Sequence, residues 1–332
     1  MTEKGNGMEA VERNPVESTT RFDMLRRMLE IRSCEDQIQN LFLANLVRGT
    51  THLCVGQEAC AVGIAWAMQP GDKMTCTYRG HGHALAMGIS TRALMAEMMG
   101  KASGCCGGKG GSMHMTDASK GLLGANAIIG AGIPIAVGAA LTAQVKGSNG
   151  VAVSLFGDGT VNIGAFHEAL NLAAIWKLPA VFICENNLYA EYSPLAATTP
   201  IENLVDRAAS YNMPGIIVDG QDVETVYTNV KVALDYARSG KGPVMIELKT
   251  YRFRGHSRTD TAPYRTPGEL DRWLQRDPIT ILKDRMIAEG QLDDTEFVEL
   301  SQAIEREIVQ VVEWAKAEPF PRVEAAYENI YA

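Results

Sequence analysis

The chain has 332 residues, 46% of them apolar and 21% charged, with a net charge of −8. That length buries one large core or two small ones, and the acidic balance argues against nucleic acid as the main partner. The seven cysteines, at 34, 54, 60, 76, 105, 106 and 184, are odd in number and lack metal-type spacing, so they read as reduced thiols of a cytoplasmic protein.

Residues 1–20 hold Glu3, Glu9, Glu12 and Glu17 and no apolar core. They fit neither a secretory signal nor a transit peptide, and a disordered arm is expected. From Arg21 to Phe42, the residues Phe22, Leu25, Leu29, Ile38, Leu41 and Phe42 fall at helical spacing, which predicts an amphipathic helix. A segment containing His52 leads into a second helix, rich in small residues, that runs to about Met68. Pro70-Gly71-Asp72 then turns the chain into a short strand, Met74 to Thr77. This strand ends at Tyr78-Arg79-Gly80-His81-Gly82-His83. Two histidines at i, i+2 suit a metal. The glycines and Arg79 suit a loop held close to an anion, because a guanidinium donates bidentate hydrogen bonds. Composition leaves these two readings level.

Thr91 to Met99 reads as a Met-rich helix whose methionines fill core space. Gly104 to His114 carries glycines at 104, 107, 108, 110 and 111 and cannot form a regular element. It lacks the GK[ST] ending of a Walker P-loop. Gly121 to Val145 runs for 25 residues without a charge, yet Asn126, Pro134 and abundant Gly and Ala make it a poor membrane span. Inside it, Gly124 to Gly130 leads into a helix from about Pro134 to Val145. Gly130, Pro134, Gly138 and Thr142 give that helix a small-residue face suited equally to a subunit or a core contact.

The most informative stretch is Val151 to Tyr189. The β-branched run Val151 to Phe156 reads as a buried strand stopped by Gly157-Asp158-Gly159. Phe166, Leu170, Ala173 and Ala174 mark a helix ended by Pro179, and Ala180 to Cys184 is a second buried strand. This is a βαβ unit, so the strands are expected to be parallel, with Asp158 and Asn187 just past their carboxyl ends, where open α/β sheets bind ligands. An Asp carboxylate, an Asn amide oxygen and a nearby backbone carbonyl are the hard oxygens that Mg²⁺ takes beside phosphate. The glycines flanking Asp158 let a diphosphate come close. Further on, Met213 to Gly220 reads as turn, strand, turn, Val223 to Arg238 as a helix and Pro243 to Leu248 as a strand. Two amphipathic helices follow, the last presenting Phe297, Leu300, Ile304, Ile308 and Val311 on one face. Strands alternating with helices predict an α/β fold, a doubly wound parallel sheet, within one domain over 21–332. Tyr251 to Arg265 holds Arg252, Arg254, Arg258, Arg265 and His256 directly after a buried strand. Such a run is usually a solvated face. On this edge of the sheet it is also placed to close over an anionic cofactor.

A lone Gly-Asp-Gly marks no more than a turn, but the pattern here continues through Asn162, Leu178-Pro179 and Glu185-Asn186-Asn187. It resembles the thiamine diphosphate motif and, more narrowly, the alpha subunit of the decarboxylating component of 2-oxo acid dehydrogenase complexes. Gly108 to His114 (GKGGSMH) resembles a loop of the same family. The resemblance implies a thiamine diphosphate-binding fold with cofactor contacts from His52, Tyr78, Arg79, Ala127, Ile129, Gly157, Asp158, Gly159, Thr160, Asn187, Arg252 and His256. It further implies Mg²⁺ on Asp158, Asn187 and Tyr189, with His256 near the reaction centre. The cofactor would then carry the hard chemistry on a small oxo substrate, and the acyl group would pass to a lipoyl-bearing acyltransferase component. Gly255-His256-Ser257 and Tyr264-Arg265 resemble pyruvate enzymes, whereas Tyr189-Ala190-Glu191 and Tyr211 to Gly215 resemble acetoin dehydrogenases. Pyruvate is the first expectation and acetoin the alternative. No glutamate presents itself for the cofactor's pyrimidine ring; Glu58 and Glu168 are the internal candidates, and the family takes that group from a beta subunit in an α₂β₂ heterotetramer. A nicotinamide-dependent dehydrogenase would instead need G-x-G-x-x-G straight after a strand, with an acidic residue about twenty further on, and neither is in register. A non-enzymatic interaction subunit would bind no cofactor at all.

Overall fold

The computed structural model describes residues 8–13, 16–47 and 49–330. Among the described residues eight strands occur in chain order: β1 (Lys73–Thr77), β2 (Leu122–Asn126), β3 (Ala152–Gly157), β4 (Ala180–Asn186), β5 (Tyr189–Ala190), β6 (Ser193–Pro194), β7 (Gly215–Asp219) and β8 (Val244–Lys249). The helices are α1 (Ser18–Leu43), α2 (Glu58–Ala67), α3 (His81–Ala86), α4 (Thr91–Met98), α5 (Gly132–Val145), α6 (Gly164–Ile175), α7 (Leu195–Thr198), α8 (Val223–Tyr236), α9 (Glu269–Leu274), α10 (Pro278–Ala288) and α11 (Asp294–Ala317). Six strands pair in the order β2-β1-β3-β4-β8-β7, every neighbouring pair parallel, and β5–β6 is a small antiparallel hairpin.

Period-two alternation decides what each face of the sheet buries. Val153 and Leu155 of β3, Val181 and Ile183 of β4, and Val244, Ile246 and Leu248 of β8 face one core, with α1, α2, α8 and α11. Ala152, Phe156, Ala180, Phe182, Cys184 and Met245 face the other, against α5 and α6. Because helices cover both faces, the central strands read as near-continuous apolar runs rather than as alternating ones. Phe156, Phe166 and Phe182 are each fully buried, and burying such a ring stabilises the fold by about 1.5–3 kcal/mol. Gly63 lets α2 lie close on α8, since a Cβ there would stand 2.7 Å from the Val226 side chain. The βαβ unit, the Met74 and Ile216 strands and the long helices fall where the sequence places them.

Two elements depart from the sequence reading. Leu122–Asn126 is the edge strand β2, although Gly124 has a φ of +151° and the segment carries little β-branched character. His81–Ala86 begins a short helix where glycines suggest a loop. Gly82 packs there so closely that a Cβ would meet Cys54 Sγ at 3.0 Å. Of the expected N-terminal arm, residues 1–7, 14 and 15 lie outside the described residues. Val11 exchanges hydrogen bonds of 2.8 and 3.0 Å with the Asn229 amide, and Arg13 pairs with Glu224 at 3.2 Å. Among the described residues no helix is long and apolar enough to cross a membrane.

Candidate active site

The strand order reverses at β1. The chain runs from β1 to β2 on one side, then crosses back to β3 on the other. A crevice therefore opens beyond the carboxyl ends of β1 and β3, the place where doubly wound sheets bind ligands. A cavity of about 400 Å³ lies there, and of the thirteen residues assigned to the site it is lined by all but Arg252.

Each wall comes from a strand end. β3 delivers Gly157 and the tight turn Asp158–Asn162. A Cβ on Gly157 would meet nothing within 4 Å, so the backbone faces open space there, whereas one on Gly159 would collide with Ala190 at 2.6 Å. Asp158 is 1% exposed, and its Oδ2 has no hydrogen-bond partner among the described residues. Burial raises its pKa to about 6, with Arg252 acting in the opposite direction. β4 delivers Asn187, whose Oδ1 accepts the Tyr189 N–H at 3.3 Å. Leu188, between them, takes a left-handed φ of +74°, and the β5–β6 hairpin follows. Beyond β2, Asn126 Oδ1 accepts the Ile128 N–H at 2.9 Å, a local turn that sets Ala127 and Ile129 on the cavity rim.

The two arginines have different duties. Arg79 is buried and engaged: Nη1 donates to the Leu53 carbonyl and Nη2 to the His256 carbonyl at 2.9 Å, tying β1 to two loops. Arg252 is fully buried, and only Nη2 is satisfied, by the Glu191 carbonyl at 2.6 Å and the Tyr264 hydroxyl at 2.9 Å. Among the described residues its Nε and Nη1 have no partner. Unpaired donors and a neighbouring buried cation are unfavourable until an anion answers them. The orphaned Asp158 oxygen, the free Arg252 nitrogens and the open backbone at Gly157 together fit a cation bridged to a diphosphate.

His52, Tyr78 and His256 form an aromatic wall, with ring centroids 4.3, 4.9 and 5.9 Å apart. Burial and the adjacent arginines push His52 down to about 3 and His256 down to about 4, so both imidazoles are neutral at neutral pH. The loop carrying His256 is held rather than loose. Arg265 donates to the carbonyls of Arg252, Phe253 and Arg254, and Asp260 accepts from His256 N, Ala262 N and the Tyr264 hydroxyl.

Neither Glu58 nor Glu168 reaches the cavity. Glu58 is buried against Arg32 and the Gly56 amide, and Glu168 is exposed beside Trp176 on the far side of α6. The cavity carboxyls besides Asp158 are Glu185 and Glu191, which the sequence did not single out. Burial pushes Glu185 up to about 8 and His83 down to about 4. Their 3.1 Å approach is therefore a contact of neutral groups, and its geometry makes no hydrogen bond.

This crevice, with its Gly-Asp-Gly turn and Asn-Asn strand end, sits in a chain whose residues 26–324 match the family model described as dehydrogenase E1 component. The chain belongs to the dehydrogenase E1 component family. It is 43% identical over 309 residues to the alpha subunit of acetoin:2,6-dichlorophenolindophenol oxidoreductase of Bacillus subtilis, covering 93% of this chain and 92% of that one. It is 41% identical over 311 residues to the pyruvate dehydrogenase E1 component subunit alpha of Zymomonas mobilis, covering 93% and 88%. The human testis-specific mitochondrial form of that subunit is 41% identical over 309 residues, covering 92% of this chain and 79% of its own. This E1 alpha chain is thus an oxidoreductase component of a family that is thiamine diphosphate-dependent in general, and as an alpha subunit it works with a beta subunit.

Proposed function

We propose that this E1 alpha chain binds thiamine diphosphate through Mg²⁺ and, with its beta subunit in an α₂β₂ assembly, oxidatively decarboxylates pyruvate, the acetyl group passing to a lipoyl-bearing acyltransferase in the cytoplasm. Asp158, Asn187 and the Tyr189 carbonyl would hold the metal. Arg252, helped by Tyr78 and the Gly157–Thr160 backbone, would take the diphosphate, and Ala127 and Ile129 would take the pyrimidine. When bound, the cofactor supplies carbanion stabilisation. Arg79 acts by bracing the two loops that carry His52 and His256.

The observation that carries the pyruvate reading is the uncharged wall of His52 and His256. A substrate carboxylate set against neutral, desolvated imidazoles gains by leaving as carbon dioxide. A second reading has one observation in its favour. Glu191 lines the same cavity with its charge near Tyr78, which disfavours an anionic substrate and suits uncharged acetoin. The test is the reconstituted alpha–beta complex with thiamine diphosphate, Mg²⁺ and an artificial electron acceptor, offered pyruvate, branched 2-oxo acids and acetoin. Pyruvate is expected to give the highest kcat/KM, and faster turnover of acetoin would overturn that choice.

A further inference from the structure

The glycine-rich segment after α4 wraps a carboxylate of the chain itself. Glu97 Oε2 accepts the amides of Cys106 and Gly108 at 2.8 and 2.9 Å, and Oε1 accepts those of Gly110 and Gly111 at 2.8 and 2.9 Å. The Glu97 carboxylate lies within 4.8 Å of both the Cys105 and the Cys106 sulfur. Four N–H donors occupy the lone pairs it would offer a metal. What remains available is the vicinal dithiol. Its sulfurs stand 3.9 Å apart on half-buried residues, whereas Cys34, Cys54, Cys60, Cys76 and Cys184 are buried. The Thr116 N–H is aimed at Cys106 Sγ from 3.3 Å.

We propose that Cys105–Cys106 is an oxidative modification site, closed to a disulfide by hydrogen peroxide and coupled through this loop to the cofactor cavity. Cys106 Sγ attacks one peroxide oxygen, the O–O bond breaks, and a sulfenic acid and water result. Cys105 Sγ then attacks the Cys106 sulfur and displaces hydroxide, which leaves as water with the Cys105 proton. Two thiols give up two electrons and two protons, and peroxide becomes two waters. The contact with the Cys105 sulfur, together with the hydrogen bond that Thr116 N–H donates to Cys106 Sγ, holds Cys106 below the usual thiol value and Cys105 above it, so Cys106 is the attacking sulfur. Adjacent Cα atoms lie only about 3.8 Å apart, short of the usual disulfide span of about 4.4–6.8 Å, so the bond is strained and readily reduced.

Coupling follows from what Glu97 holds. Bringing the sulfurs to bonding distance rotates the 105–106 peptide and draws the Cys106 amide from Glu97 or its sulfur from Thr116. The same carboxylate positions Gly110 and Gly111, just before Ser112 and Met113. Ser112 Oγ is 2.8 Å from His81 Nε2, which is fixed in turn by Glu35, and Met113 lines the cofactor cavity.

The experiment uses the purified alpha–beta complex. Trypsin cutting after Lys101 and Lys109 releases residues 102–109 with both thiols. After peroxide this peptide should be lighter by two hydrogens and refuse maleimide until dithiothreitol is added, and thiamine diphosphate should bind severalfold more weakly in the same reversible way. C106S should show neither change. C105S, which keeps the attacking sulfur, should trap dimedone at Cys106. The site is refuted if the peptide keeps two alkylatable thiols, or passes directly to sulfinic acid, or if C105S takes no dimedone. Full disulfide formation with unchanged cofactor affinity refutes the coupling.

Discussion

Replacing Asp158 by asparagine separates what the carboxylate does for ligand binding from what its charge costs the ligand-free fold. The group is 1% exposed, its Oδ2 meets no partner, and burial raises its pKa to about 6. An exposed aspartate titrates near about 3.9. Between those values the unfolded chain has released a proton that the folded chain keeps. Stability of the ligand-free protein therefore falls as pH rises through that window, by about 3 kcal/mol in all, and the loss is complete at neutral pH. The substituted amide carries no such charge. Asp158→Asn should therefore be more stable than the parent by up to about 3 kcal/mol at neutral pH without ligand, and the gap should close below about pH 4. The same variant should lose Mg²⁺-dependent binding of thiamine diphosphate. Urea unfolding at the two pH values and titration calorimetry measure both effects. A variant destabilised at both pH values, or one that binds cofactor with unchanged metal dependence, would refute the reasoning.

Arg252→Met removes the two unpaired buried donors while keeping much of the side-chain volume. Thiamine diphosphate should bind about 10–100-fold more weakly, as expected for charge-assisted hydrogen bonds, and an unchanged Kd would return the diphosphate role to Arg79. Asp260→Ala removes the acceptor shared by His256 N, Ala262 N and the Tyr264 hydroxyl, so trypsin should cut at Arg258 faster than in the parent. Added cofactor should slow that cleavage; equal rates in variant and parent would show that Asp260 does not hold the loop.

Wherever a local pattern fixes structure, the sequence was legible. Val151 to Phe156, interrupted only by Ser154, and Ala180 to Cys184 are apolar runs because both faces of the sheet are covered, and their ends deliver Asp158 and Asn187 to one cavity. What stayed hidden depends on partners far away in the chain. Glu97 governs the glycine loop through bonds to residues 9 to 14 positions on, and no periodic signal announces a carboxylate held by amides. Glu35, His81 and Ser112 meet across separations of 46 and 31 residues. β2 escapes a sequence reading because an edge strand with a glycine at φ +151° lacks the β-branched signature of the central strands. Glu185 was in plain view before Asn186-Asn187. Its entry into the cavity follows from the strand's period of two, which puts it on the same side as Asn187.

That geometry bears on the last prediction, that this chain does not turn over alone. The proposed chemistry would call for a carboxyl group at the cofactor's pyrimidine ring, in a site closed to water. Among the described residues three carboxyls line the cavity, and each has a different position or duty. Asp158 sits in the turn after β3 with an unpartnered oxygen suited to a cation. Glu185 is held neutral at about 8 on β4, opposite Gly157, with its carboxyl beside His83. Glu191 lies on the exposed hairpin turn and gives its carbonyl to Arg252. At the rim, where the pyrimidine contacts are proposed, Ile128 is 69% and Ile129 46% exposed, and Ile135 of α5, 47% exposed, lines an adjoining pocket that shares Asn126 and Gly132 with the cavity. An apolar rim left to solvent on a cofactor cavity fits a site completed by another chain, since so much grouped isoleucine is unfavourable in water. The purified chain, given thiamine diphosphate, Mg²⁺, an oxo substrate and an artificial acceptor, should therefore stay inactive until its beta subunit is added. Substituting Ile128 or Ile135 by Asp should weaken that rescue without altering the chain's own stability. Robust turnover by the chain alone, abolished by Glu185→Gln, would place the missing carboxyl here and overturn the two-chain site.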